Sequence, residues 1–269
     1  MLGIVPAAGR GTRIQPLGFS KELLPVGSRI EGRSERPCAV SEYLLERMVL
    51  GGADKICFVI GPGKSDILEY YGGGYDHASA AYVVQPAAAG LCDAIFCAAP
   101  LVHDDEPVLI GLPDTIWFPE NGYTALPEGR LSFLLFPVGH PEQFDAVVLD
   151  EDDRIREIQV KQHGARSRWI WGAIKLPGHV LHELHGLWRA RDGRDEYLGT
   201  LVNAYLAAGG MAQGVKAGRA YVDVGTFDGY RTALALLARM SAGEERGEPV
   251  IRMAHPLPAE PQAASPRTT

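Results

Sequence analysis

The sequence predicts an α/β fold in which a mixed, mostly parallel sheet is flanked by helices. Three observations carry this expectation. Apolar runs of strand length alternate with segments of helical period through the first half of the chain, an order that requires crossovers between parallel strands. One of those runs, Val108-Leu109-Ile110, is apolar throughout, as a strand covered on both faces is. With 269 residues and 46% hydrophobic composition, the chain can bury one large core, and a single domain over about 1–240 is expected.

The elements follow in order. Leu2 to Val5 reads as a strand that empties into a glycine loop. Val40, Leu44 and Met48, with Tyr43 and Arg47 beside them, recur at three and four before Gly51-Gly52, the spacing of an amphipathic helix with a glycine stop. Then come a strand at Lys55 to Ile60, a helix from Ser65 to Tyr71, a glycine turn at Gly72 to Gly74, a strand near Ala80 to Val84, a helix from Gly90 to Ala99 and a strand from Val108 to Leu112. The second half is richer in adjacent strands, at Leu131 to Val138, Ala146 to Leu149, Ile155 to Lys161 and Arg168 to Leu176. Helices are expected near Gly178 to Arg189 and Glu196 to Ala208, with a closing helix over 227–240. Asp150 to Asp153 reads as a solvated hairpin tip. From 241 to 269 the chain is Pro/Ala-rich, with Pro249, Pro256, Pro258, Pro261 and Pro266, and a disordered tail is expected.

Composition narrows the partners. A net charge of -7 lacks the basic face of a nucleic-acid binder. The first residues lack a basic segment ahead of an apolar core, and no apolar run approaches about 18 residues, so neither secretion nor membrane insertion is expected and the cytoplasm is the expected compartment. Cys38, Cys57, Cys92 and Cys97 have no paired metal spacing and read as reduced, structural thiols. His179, His182 and His185 recur every three residues on a helix, whereas helical metal pairs favour a spacing of four, so a polar face is expected there.

The chemistry begins after the first strand. Ala7-Ala8-Gly9-Arg10-Gly11-Thr12-Arg13 lets the backbone approach a ligand with its N–H groups aimed at phosphate oxygens, and Arg13 and Lys21 add mobile positive charge. A nucleotide or other polyphosphate is the expected ligand, held by Ala8, Gly9, Gly11 and Thr12. The dinucleotide fingerprint would need a glycine where Ile14 stands, and a P-loop would need a Gly-Lys-Ser/Thr ending. A second stretch, Gly61-Pro62-Gly63-Lys64-Ser65, imitates a P-loop but has Phe58 at its leading glycine and a proline lacking an N–H, so it reads as a strand-to-helix turn.

Gly9-x-Gly11-Thr12-Arg13-x-x-Pro16 followed by Lys21-x-Leu23-Leu24-Pro25-Val26 resembles the signature of the sugar-phosphate nucleotidyltransferases, the group that includes glucose-1-phosphate thymidylyltransferase and UTP-glucose-1-phosphate uridylyltransferase. The segment between arginine and lysine is about two residues shorter than in most relatives, which marks a short-loop branch. The resemblance implies a Rossmann-like fold with a nucleotide-binding part at about 1–125 and a sugar-phosphate-binding part at about 126–226.

Two carboxylates stand out. Asp114, at the carboxyl end of an apolar strand, is either a metal ligand or the cap of a turn. Leu112-Pro113-Asp114-Thr115 resembles the family's Leu-Gly-Asp-Asn metal segment, which favours the metal. Asp223 in Asp223-Val224-Gly225-Thr226 resembles the family's Asp-x-Gly-Thr, whose aspartate shares that ion. Two carboxylates completed by phosphate oxygens and water suit Mg²⁺.

Gln85-Pro86-Ala87-Ala88-Ala89-Gly90-Leu91 resembles the thymidylyltransferase segment whose glutamine faces the base; the other reading of Gln85 is a loop glutamine that hydrogen-bonds local backbone. The resemblance therefore implies base contacts at Gln85 and Gly90, with the amide donating to a carbonyl and accepting from the ring N–H of thymine or uracil. At the acceptor end the likeness thins. Val160-Lys161-Gln162 stands where relatives carry Glu-Lys-Pro, so the lysine is kept and the acid is lost. Ala146, Gly172 and Glu196 match positions that line the family's sugar pocket, Ala146 in place of a glycine.

The implied reaction transfers a nucleotidyl group from dTTP or UTP to a sugar 1-phosphate, releasing pyrophosphate, with Mg²⁺ as cofactor and Arg13, Lys21 and Lys161 managing charge. The alternative is a catalytically silent regulator of the same fold that binds a nucleotide or nucleotide-sugar. Self-association is left open by the sequence.

Overall fold

A computed structural model describes residues 1–241, so the expected tail lies outside the described residues apart from Ser241, which closes the last helix. The chain begins with β1 (Leu2–Pro6) and, after the glycine loop, forms β2 (Pro25–Glu31), β3 (Ser34–Ala39) and α1 (Val40–Leu50). There follow β4 (Lys55–Ile60), α2 (Ser65–Tyr71), β5 (Gly74–Tyr75), β6 (Ala78–Val84), α3 (Leu91–Cys97), β7 (Pro107–Gly111) and β8 (Thr115–Phe118). The second half holds β9 (Leu131–Pro137), β10 (Asp145–Leu149), β11 (Ile155–Val160), β12 (Trp169–Pro177), α4 (Gly178–Ala190), α5 (Leu198–Ala207), β13 (Ala212–Val215), β14 (Ala220–Asp223) and α6 (Phe227–Ser241).

Ten strands form one sheet in the order β11-β10-β12-β7-β1-β4-β6-β5, with β9 on the other edge of β12 and β13 beyond β9. β7, β1, β4 and β6 are parallel, and β12 joins antiparallel to β7. One edge of β12 is shared between two neighbours: Ala173 to Pro177 pair with β7, whereas Ile170 pairs with Ala146 of β10. The sheet forks there, and the chain leaving the carboxyl end of β7 enters the fork.

Both faces are buried, which explains the apolar strands. Ile56 and Phe58 of β4 pack on one face with Leu44, Leu45 and Met48 of α1, while Cys57 and Val59 meet Cys92, Ile95 and Phe96 of α3 on the other. A third cluster joins α6 to β8 and β14 through Ile116, Phe118, Val222, Ala233 and Leu236. Arg47, expected only as part of an amphipathic helix, is fully buried. Its guanidinium donates to the carbonyls of Trp117 and Tyr43, and burial pushes its pKa down to about 10.

The glycine loop is held from behind. The Lys64 ammonium donates to both carboxylate oxygens of Glu22 at 2.8 Å and to the carbonyl of Ala7 at 2.6 Å. The P-loop imitation is a strand-to-helix turn whose lysine fastens the loop after β1 to the turn that carries Lys21. Asp150 to Asp153 form the tight turn between antiparallel β10 and β11. His179 and His182 are exposed on α4, and the partly buried His185 stacks on Phe96.

Several expected boundaries are corrected by backbone conformation. The strand expected through Lys161 ends at Val160, because Lys161 takes a left-handed φ of 43°. The helix expected from Gly90 begins at Leu91, since Gly90 has φ 96°. The helix expected from Glu196 begins at Leu198, Tyr197 being extended. The hairpin of β2 and β3 has little apolar alternation and is held by polar pairs such as Arg36 with Glu31.

Lys64→Met is expected to leave Glu22, only 1% exposed, buried without the ammonium that bonds both its carboxylate oxygens. A loss of about 3–5 kcal/mol in urea denaturation should result. A loss below about 1 kcal/mol would mean that the pair is effectively solvated.

Candidate active site

A cavity of about 440 Å³ opens in the fork of the sheet. The glycine loop forms its floor through Ala8 and Gly9, with Arg13 and Lys21 reaching in. Gly11 has φ 63°, which favours glycine, and a Cβ there would lie 2.6 Å from the Lys21 side chain. The loop can therefore take this path, and Lys21 can lie across it, only with glycine at this position.

Two carboxylates face each other at this end. Asp114 follows β7, and Asp223 ends β14, which pairs antiparallel with β8 so that Asp223 lies opposite Thr115, the residue after Asp114. Oδ2 of Asp114 and Oδ1 of Asp223 each lie 2.9 Å from the point a Cβ on Gly225 would occupy. Arg13 Nη2 lies 3.2 Å from the same point, so the absence of a side chain at Gly225 lets both acids and the guanidinium close on its backbone. Each acid has a cation: Lys21 Nζ lies 2.5 Å from Asp114, and Arg13 donates to Asp223 at 3.1 Å.

The two acids titrate in opposite directions. Burial disfavours ionisation of Asp114, but the Lys21 ammonium overrides it and holds the carboxyl below its usual range. At Asp223, burial and the charge of Asp114 outweigh Arg13 and raise the pKa. Burial alone would lower Lys21, yet Asp114 and Glu22 keep its ammonium above the usual range.

Among the described residues no group of three His, Cys, Asp or Glu side chains converges. The pair is thus too sparse for an all-protein cage. Two hard carboxylate oxygens beside the glycine loop fit Mg²⁺ completed by phosphate oxygens and water.

At the opposite side lies Gln85, 3% exposed, with Ala88, Gly90 and Leu91. Its Nε2 donates to Asp93 Oδ2 at 2.6 Å and to the Gly90 carbonyl at 3.3 Å. The amide donors expected to be offered to a base are therefore taken within the protein, and the oxygen remains.

The third wall comes from β10, β12 and the segment before α5. Phe144, Asp145, Trp171, Lys161, Glu196 and Tyr197 line it. Lys161 is turned inward by its left-handed backbone, with its ammonium 4.6 Å from the centre of the Tyr197 ring. Asp145 is the direct cross-strand partner of Val160, accepts a long 3.4 Å bond from Trp171 Nε1, and has its pKa raised by burial. A carboxylate therefore stands across the strand pair from the position where the sequence lacks one.

The matching family model is that of nucleotidyl transferases, and it covers residues 2–239. The chain belongs to the nucleotidyl transferase family. It is similar to the glucose-1-phosphate thymidylyltransferase of Neisseria meningitidis serogroup A, 27% identical over 248 residues covering 88% of this chain and 82% of that protein. The enzyme of the same name from Mycolicibacterium smegmatis is 29% identical over 243 residues, or 85% of this chain and 79% of that one. A Bacillus anthracis crystal structure, provisionally described as a glucose-1-phosphate thymidylyltransferase, superposes with TM-score 0.73 at 25% identity over 88% of this chain and 95% of that chain.

The cavity brings together Ala8, Gly9, Arg13, Lys21, Gln85, Gly90, Asp114, Lys161, Glu196 and Asp223 from the positions this transferase's sequence singles out. Gly11, Thr12, Ala146 and Gly172 are not part of its lining. Ala146 is fully buried, and its neighbour Asp145 faces the cavity instead. A Cβ on Gly172 would meet the rings of Phe136 and Tyr221 at 2.7 Å, so that glycine serves packing while Trp171 forms the wall. Asp93 was not singled out from the sequence, and Asp145 and Trp171 stood there only within the segments whose site positions were given to Ala146 and Gly172. The period-2 alternation of strands was the available signal for Asp145 and Trp171.

No helix among the described residues is long and apolar enough to cross a membrane. The free thiols of Cys57 and Cys92 are pushed up to about 12 by burial, as inert structural cysteines are.

Gly225→Ala is expected to put a methyl group 2.9 Å from both carboxylate oxygens while the residue's backbone needs no positive φ. Thermal stability should be nearly unchanged and Mg²⁺-dependent turnover should fall at least about tenfold, the effect of about 1.4 kcal/mol. Wild-type turnover with the variant would show that the space between Asp114 and Asp223 is not used.

Proposed function

We propose that this chain transfers the nucleotidyl group of UTP or dTTP to a sugar 1-phosphate and releases pyrophosphate. The observation that carries the reading is the convergence, in one cleft, of two facing acids, their paired cations and a glycine loop. Two relatives named for thymidylyl transfer over most of their length support it.

The chemistry asks little of a general base. A phosphate monoester has its second pKa near about 6, so the acceptor is largely dianionic at neutral pH. One of its oxygens attacks the α-phosphorus, the new P–O bond forms, and the bond to the bridging oxygen breaks as pyrophosphate departs. Catalysis is then the management of repulsion between two anions.

Lys161 would meet the acceptor phosphate, and Asp145 with Glu196 would accept from sugar hydroxyls. Lys21 and Arg13 would turn from their carboxylates toward the triphosphate, joined by backbone N–H groups at Ala8 and Gly9. Asp114 and Asp223 would hold Mg²⁺, which when bound supplies charge neutralisation at the phosphate oxygens. Gln85 would face the base.

The test is pyrophosphate release with Mg²⁺, using UTP, dTTP, CTP, ATP and GTP against a panel of sugar 1-phosphates. Release is expected only with a uracil or thymine nucleotide together with an acceptor. Asp114→Asn should fold and lose about 10²-fold or more in turnover, the scale of removing one electrostatic clamp. Tight nucleotide binding without release under any pairing would favour the silent regulator.

A further inference from the structure

Gln85 is held in the cavity wall at both its main chain and its side chain. Its backbone N–H continues the sheet by donating to the carbonyl of Ile60 at 2.9 Å, so the main chain is fixed. Its amide nitrogen is fixed twice, at 2.6 Å to Asp93 Oδ2 and at 3.3 Å to the Gly90 carbonyl. An ionised carboxylate and a carbonyl are acceptors only, so both require the nitrogen of the amide and neither tolerates its oxygen. Flipping the group would lose two bonds and set oxygen against oxygen at both contacts.

What remains is the amide oxygen. It has no hydrogen-bond partner and is not among the fully enclosed polar atoms left without one. Gln85 lines the cavity, so that oxygen is the part of the side chain that the cavity meets.

We infer that Asp93 is a positioning residue that locks the Gln85 amide with its oxygen toward the cavity, so that the site admits a pyrimidine carrying a ring N–H and rejects one whose ring nitrogen is an acceptor. The inference rests on the reading of Gln85 as the base-facing group. Uracil and thymine carry an N3–H that can donate to this oxygen. Cytosine presents a lone pair at N3, and two acceptors would then face each other with no proton between them. Selection follows from the direction of one amide, and Asp93 sets that direction without touching the base.

The experiment compares the full chain with Asp93→Asn and Asp93→Ala, measuring equilibrium binding of UTP and CTP in Mg²⁺ and kcat/KM for both with a fixed sugar 1-phosphate. Thermal unfolding of each variant accompanies the assays. The nearly isosteric Asp93→Asn carries the test if the alanine variant does not fold. Wild type is expected to prefer UTP. In Asp93→Asn the new side chain can offer N–H to Gln85, so the amide is free to turn and the UTP/CTP ratio should fall by about tenfold, the scale of one misdirected hydrogen bond. Asp93→Ala, which removes the lock, should lower the ratio similarly. An unchanged ratio in both variants, with or without an equal loss of affinity for the two nucleotides, would overturn the inference and leave Asp93 as a support of its loop. A wild type that binds UTP no better than CTP would instead overturn the base-facing reading of Gln85 on which the inference stands.

Discussion

Two carboxylates cannot share a buried cleft without counter-charge, and the front of this molecule is arranged around that constraint. Asp114 is carried there by the central strand β7 and Asp223 by the separate β8–β14 pair, so they arrive from different parts of the chain. The glycine loop supplies one balancing cation, Arg13, and the turn that follows it supplies the other, Lys21. Lys21 in turn holds its place because Glu22, beside it, is clasped by Lys64. A cation that balances an acid in the free protein is also one that a triphosphate could recruit. The same ion pairs therefore serve the folded state and keep positive charge within reach of phosphate.

The opposite shifts of the two acids follow from how each is neutralised. Asp114 is closely paired with a buried ammonium, whereas Asp223 has the half-exposed guanidinium of Arg13 and feels the charge of Asp114. The pair resembles other sites in which adjacent carboxyl groups are driven apart by environment.

Much of this arrangement was legible in the sequence because its signals are local. The glycine loop follows one strand, Asp114 ends another, and the α/β alternation needs no knowledge of pairing. The cavity's third wall was not legible in the same way. Ala146 and Gly172 were expected there from motif likeness, but successive side chains on a strand point to opposite faces, and the cavity receives the neighbours Asp145 and Trp171. The meaning of Asp145 depends on the β10–β11 register that sets it opposite Val160. Asp93 depends on the return of α3 beside the end of β6, a relation that no spacing rule contains. Arg47 was hidden for a different reason: a charged residue in a helical pattern reads as solvent-facing, and only the β8 carbonyl above it explains its burial.

The shared edge of β12 has a consequence for how this protein could change over time. The strands bearing the glycine loop and Asp114 are parallel members of the central sheet, while the hairpin of β10 and β11 pairs with β12 through the contact between Ala146 and Ile170. The hairpin is also tied to the main core, through buried Val147, Ile155 and Ile158 and through Asn203 of α5, which bonds to both the N–H and the carbonyl of Ile158. Substitution of its cavity-facing Asp145 can reshape one side of the cleft, whereas its core-facing residues cannot change without disturbing packing shared with the central strands. A lineage could therefore vary the cleft-facing positions of that wall while the strands bearing the glycine loop and Asp114 stay as they are.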